Sequence, residues 1–148
     1  MSATPFDAPG ATAVRPTTPT AQASSRRRWT GRIIGGLAVL FLLFDTVGKL
    51  LTLPPVVDGT TRLGYPAHLV LAIGLVEFGC LVVYLVPRTA VLGAILLTGY
   101  LGGAVATHVR IGSPLFTHVL FPVYVGLLIW GALVLRDRGL RALILRRG

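Results

Sequence analysis

Four apolar runs, at residues 33–53, 66–86, 89–109 and 114–135, leave this chain few ways to fold. Each reaches the roughly 20 residues that a helix needs to cross a bilayer. No water inside hydrocarbon can satisfy a backbone N–H or C=O, so each run must satisfy its own groups by becoming helical. The expected fold is all-α: a four-transmembrane-helix bundle, up-down-up-down, within a folded region at 29–139. Of the 148 residues 53% are hydrophobic and only 13% are charged, with a mean hydropathy of +0.77. Soluble domains carry about 25% charged residues, so little is left for a separate water-soluble core.

The net charge of +9 is concentrated at the two ends. Arg15, Arg26, Arg27, Arg28 and Arg32 precede the first run, while Arg136, Arg138, Arg141, Arg146 and Arg147 lie at or beyond the end of the last. Positive flanks stay in the cytoplasm. Both termini are therefore expected there, in a bacterial inner membrane, which requires an even number of spans. Arg88 falls on the same side, and the external side keeps Arg62 and Arg110, with Asp58 near the former. Such flanks set topology and contact the lipid bilayer, at about 1 kcal/mol per residue near anionic headgroups; no nucleic-acid partner is expected.

Residues 1–28, rich in Ala, Thr, Pro and Ser, are expected to be a disordered cytoplasmic tail, and 140–148 a basic cytoplasmic tail. Ser25-Arg-Arg-Arg-Trp-Thr30 faintly resembles a twin-arginine signal. Charges interrupt the apolar run behind it and no cleavage site follows, so an uncleaved first span is expected. Pro54-Pro55 should end the first helix, leaving 54–65 as the one substantial loop, a lid or interfacial segment. Pro66 and Pro114 suit helix starts, and Pro87 closes the second span. Pro122 cannot donate to the carbonyl of His118, so the fourth span should bend there.

The first span carries Asp45 and Lys49, four residues apart on one helix face with the acid first, the favourable order. At mid-membrane each charge costs about 2.5 to 3.5 kcal/mol, so the pair costs about 5 to 7 kcal/mol. The Leu, Ile, Val and Phe residues of that span return roughly 4 to 8 kcal/mol. The balance is near zero, so the charges must pair or be packed. Helical rise puts Asp45 about 18 Å from Ile33, with Lys49 about 6 Å further on; Glu77 lies about 16 Å from Pro66, at similar depth. Intramembrane ionisable groups mark pathways and sites or pair with one another. Two readings of the trio are open: a structural network that fixes helix register, or a proton or redox-substrate site with Glu77 as the spare acid.

His68, His108 and His118 fall toward the external half, with Arg110 beside the second of them. They lie on three spans without ligand spacing, so no metal is expected. Cys80 is the only cysteine, which excludes an intrachain disulfide and a Cys-x-x-Cys redox centre. Gly99 with Gly103, and Gly102 with Ala106, give small-x-x-x-small spacings that let helices approach closely, within the chain or in a homo-oligomer. Tyr84 shares a face with Glu77 and suits either core or interface.

Lys49-Leu50, Glu77, Leu85-Val-Pro-Arg-Thr-Ala90, Leu92-Gly-Ala94 and Gly102-Gly-Ala-x-Ala-Thr-His108 together resemble the DoxX-like membrane proteins. The resemblance runs from about Arg32 to Arg141. It implies a small membrane subunit associated with redox or detoxification complexes, the founding member being similar in serving a thiosulfate:quinone oxidoreductase. Quinone is thus the cofactor it suggests, and a membrane redox subunit the partner. No haem motif, flavin fingerprint or thiol pair appears in the chain. The leading expectation is an accessory subunit of a quinone-linked or oxidative-stress redox system, with Asp45, Lys49, Glu77, His108, Arg110 and His118 lining a polar interior. A proton-coupled small-molecule transporter and a scaffold with purely structural charges are the competing classes.

Overall fold

Three of the helices stop in one way, written into the sequence as a residue, a spacer and a proline. In the computed structural model, which describes residues 19–145, α1 (Pro19–Leu50) ends at Thr52-Leu53-Pro54, α2 (Pro54–Arg62) at Gly64-Tyr65-Pro66, and α4 (Ala90–Arg110) at Gly112-Ser113-Pro114. In each, the first residue takes the left-handed conformation, with φ of +47°, +87° and +68°. Its N–H and that of the spacer then bond back to carbonyls of the last turn: Thr52 to Lys49 and Leu53 to Gly48, Gly64 to Thr61 and Tyr65 to Thr60, Gly112 to Val109 and Ser113 to His108. This double closure satisfies carbonyls that a helix end otherwise leaves bare, and the proline forbids continuation. Glycine adopts the geometry freely, whereas Thr52 is β-branched and strained there.

The segment 54–65, expected as a loop, is corrected by α2. Proline has no N–H, which costs nothing in a helix's first turn where no acceptor waits for it, so Pro54-Pro55 opens a helix as readily as it closes one. Val56 and Val57 are half-buried, Thr60 is buried, and Asp58, Thr61 and Arg62 face outward. α3 (Leu69–Leu85) follows a turn at 66–68 and is joined to α4 through residues 86–89 alone, where the Thr89 hydroxyl donates to the Val83 carbonyl at 2.8 Å. The fourth apolar run is broken, as the position of Pro122 predicts. A π-helical turn, Leu115–Val119, gives way at Leu120 to α5 (Phe121–Arg136), with Pro122 in its first turn. Asp137 then accepts the N–H groups of Gly139 and Leu140 and starts α6 (Arg138–Leu145).

α1 and the spans Ala90–Arg110 and Leu115–Arg136 are long and apolar enough to cross a membrane. α3 is equally apolar but has 17 residues, about 25 Å at the helical rise and the lower end of what can span. Residues 1–18 of the expected tail, with Arg15, lie outside the described residues, as do 146–148 with Arg146 and Arg147. Residues 19–28 are the first turns of α1, and 140–145 belong to α6.

α1 packs on α3 and α5, and α4 on the same two, so the four apolar helices surround one core of Leu42, Leu81, Tyr84, Leu97, Ile129 and their neighbours. Tyr84 is a core residue, and Cys80 lies in the same cluster. Partners run in opposite senses along each contact. Gly35 meets Tyr84 while Lys49 meets Gly74, and Tyr84 meets Gly93 while Glu77 is level with Tyr100. Thr98 meets Trp130 while His108 meets His118.

Close approach falls on other glycines than the sequence suggested. A Cβ at Gly31 would lie 2.8 Å from that of Leu135, one at Gly35 3.0 Å from that of Ala132, and one at Gly74 2.7 Å from that of Lys49. At Gly93 it would penetrate the backbone of Tyr84. Gly99, Gly102 and Gly103 meet nothing within 4 Å, and Ala106 is exposed. Among the described residues this stripe therefore seals no helix pair.

Candidate functional site

The close seam at Gly74 determines what Lys49 can reach. With no side chain on α3 at that level, the stem of Lys49 lies directly against it, and its ammonium extends one turn along to Glu77. Lys49 Nζ donates to Glu77 Oε2 at 2.8 Å, to the Tyr100 hydroxyl at 2.9 Å and to Asp45 Oδ2. The Tyr100 hydroxyl donates in turn to Glu77 Oε2 at 3.0 Å. Three helices thus meet at one ammonium, with all three of its protons used. Glu77 is wholly buried, while 37% of the Asp45 side chain is exposed. Glu77 Oε1 and the buried Thr46 hydroxyl have no hydrogen-bond partner among the described residues.

Asp45, Lys49 and Tyr100 form one end of a cavity of about 910 Å³. Leu69, Ile73, Val76, Leu101, Ala104 and Val125 give it apolar walls, Gly99 and Gly103 widen the α4 side, and Val56, Gly59 and Thr60 of α2 cover it. Here the open stripe on α4 acquires a use, because glycine at these positions leaves volume inside. Glu77 does not line the cavity; it lies behind Lys49 and Tyr100.

His108, His118 and Ser113 line the same cavity two helical turns along α4 from Tyr100, about 12 Å away. The imidazoles meet edge to face with centroids 5.6 Å apart. The Nδ1 of His108 is 3.0 Å from the Ser113 hydroxyl, and that of His118 is 2.8 Å from Thr117 Oγ1. Between the two polar ends, Thr107 donates to the Gly103 carbonyl, so the Tyr65 hydroxyl 2.9 Å away is the donor to Thr107. Arg110 belongs to neither group. Its Nη2 donates to the Leu63 carbonyl at 2.7 Å and ties the end of α4 to the turn between α2 and α3. His68 is exposed. No group of three or more His, Cys, Asp or Glu that could hold a metal occurs among the described residues.

The structure therefore brings Asp45, Lys49 and Glu77 into one cluster and His108 and His118 into a second, both on one cavity, and sets Arg110 apart. Sequence reasoning missed Tyr100, Gly74 and Thr46. The short connection at 86–89 carried the signal for Tyr100: a hairpin centred there places residue 100 level with residue 77.

The sequence model of the DoxX-like family matches residues 33–132, well over half of the chain. No curated protein and no solved structure matches it.

Proposed function

The chain belongs to the DoxX-like family of multi-pass membrane proteins, and on that premise we propose that it is an accessory subunit of a quinone-linked redox system whose cavity takes the quinone headgroup. The observation that carries this reading is the juxtaposition of a 910 Å³ apolar cavity with the Asp45–Lys49–Tyr100 cluster at one end. Ligand sites are mostly apolar, of roughly 300 to 1,000 Å³, with a few polar groups that fix orientation. A quinone has that character: an apolar ring and tail, with carbonyl oxygens that accept hydrogen bonds. Lys49 and Tyr100 hold the donors at the cavity wall, and on binding each turns one proton from its acid partner, Asp45 or Glu77, toward a quinone carbonyl. When bound, the quinone supplies the two-electron chemistry, and the partner subunit exchanges the electrons.

The role of this chain is to orient the headgroup, exclude water and handle the proton. The Tyr100 hydroxyl stands between the cavity and Glu77 Oε2, so it can pass a proton to or from Glu77 as the ligand changes state. Fully ionised, the trio of two acids and one base carries one negative charge, and one proton taken up neutralises it. That inventory also favours a second reading, proton-coupled transport of a small molecule.

The bundle is taken as a four-helix up-down-up-down arrangement in the bacterial inner membrane, with cytoplasmic termini. The opposed contacts between neighbouring helices and the arginines flanking α1 and α5 support it. A reporter fused to the C-terminus should be reached only from the cytoplasmic side; labelling from outside would reverse the side of every histidine. The remaining outward face of Gly102 and Ala106 is suited to a homo-oligomer or to the redox partner.

The cavity is tested with the full-length chain in lipid vesicles and a photoreactive short-tail quinone. Label should map to the walls around Val76 and Ala104. Tyr100→Phe should weaken binding about two- to tenfold, the worth of one net hydrogen bond. Label elsewhere, or affinity unchanged in Tyr100→Phe, would sink the quinone reading. Proton uptake coupled to solute entry, lost in Glu77→Gln while quinone binding is absent, would install the transport reading instead.

A further inference from the structure

Two buried oxygens, Glu77 Oε1 and Thr46 Oγ1, have no hydrogen-bond partner among the described residues, and their residues lie at one level on neighbouring helices. Lys49 on α1 lies level with Gly74 on α3, and contacts between these helices run in opposite senses. One turn back along α1 is Thr46, and one turn forward along α3 is Glu77, so the two lie at the same level of the α1–α3 pair. Both residues are wholly inaccessible, at 0% exposure. Glu77 spends Oε2 on Lys49 and Tyr100, while its Oε1 and the Thr46 hydroxyl are the two buried side-chain polar atoms without a partner among the described residues. Leaving either unmatched costs about 1–3 kcal/mol, and a coincidence of two such atoms at one level is expensive.

We propose that Thr46 and Glu77 bind one water molecule between α1 and α3, on the side of Glu77 away from the cavity. A buried water needs a polar niche with two or more partners, and Glu77 Oε1 and Thr46 Oγ1 provide them. Water is suited to this place for a chemical reason. A carboxylate oxygen only accepts, whereas a carboxylic acid also donates. A fixed donor would match one state and oppose the other, but water, like the threonine hydroxyl, can turn to serve both. The bound water therefore lets Glu77 take up and release a proton without stranding an oxygen in an apolar core. This consequence rests on the reading of Glu77 as the proton-handling acid behind the cavity; the water site itself does not.

Glu77 is the only glutamate in the chain, so its carboxyl carbon can be observed alone after glutamate labelling. In full-length protein in lipid bilayers, water-edited solid-state NMR should show rapid transfer from water to the Glu77 carboxyl and to Thr46. Thr46→Val keeps the side-chain shape and removes the hydroxyl; the fast transfer to Glu77 should be lost. Thr46→Ser should retain it and controls for folding. No transfer in the wild type overturns the proposal. So does transfer unchanged in Thr46→Val, which would mean that the signal arrives through the exchangeable protons of Lys49. Quinone labelling in Thr46→Val should persist, because Thr46 does not line the cavity. The water site and the quinone reading thus fail independently.

Discussion

Lys49→Met is expected to destabilise the bundle by about 3–5 kcal/mol, the cost of removing one partner from a buried ion pair. Methionine matches the stem of lysine and keeps its packing against Gly74, so the loss isolates the charge. Two acids then face each other, and Glu77, wholly buried, has lost its counter-ion. Glu77→Gln should cost less, since Lys49 keeps Asp45. Asp45→Asn should cost least, because Asp45 is the most exposed of the three. The decisive measurement is a double-mutant cycle of reversible unfolding in bilayer mimics. Lys49→Met combined with Glu77→Gln should recover much of the loss, and costs that simply add would show that the three groups are not coupled.

Gly93→Ala should be comparably severe, about 3 kcal/mol or more, at a position that carries no charge. Overpacked cores lose typically about 1–3 kcal/mol when side chains can shift. Here the added methyl meets the backbone of Tyr84, which cannot rotate away. The same change at Gly99 meets open space and should stabilise by about 0.5–1 kcal/mol through helix propensity. Equal effects at the two positions in a thermal or denaturant unfolding series would contradict the α3–α4 seam.

These contrasts locate what could be read from the residues. The apolar helices and the shared level of Asp45, Lys49 and Glu77 followed from run lengths and helical rise, which depend on the backbone alone. Tyr100 was within reach by the same arithmetic, through the short connection at 86–89. Which glycines seal helix pairs was not, because Gly93 and Gly99 are equally small and differ only in what lies opposite. The helix at Pro54–Arg62 was hidden for a related reason. A Pro-Pro pair stops one helix and starts another with the same chemistry, and only the bond pattern around Thr52 separates the two uses. Arg110 illustrates the remaining gap. Its charge suggested the polar interior, but a carbonyl at the nearby turn lay closer.

The two glycine seams at Gly31 and Gly35 hold α1 and α5 together at one end of the molecule, and the cavity opens toward the other. The same two helices meet again beside the cavity, where Phe41 and Phe121 stack edge to face at 5.1 Å. α1 and α5 are thus clasped at both ends, and beside the second clasp they present one continuous wall to whatever enters.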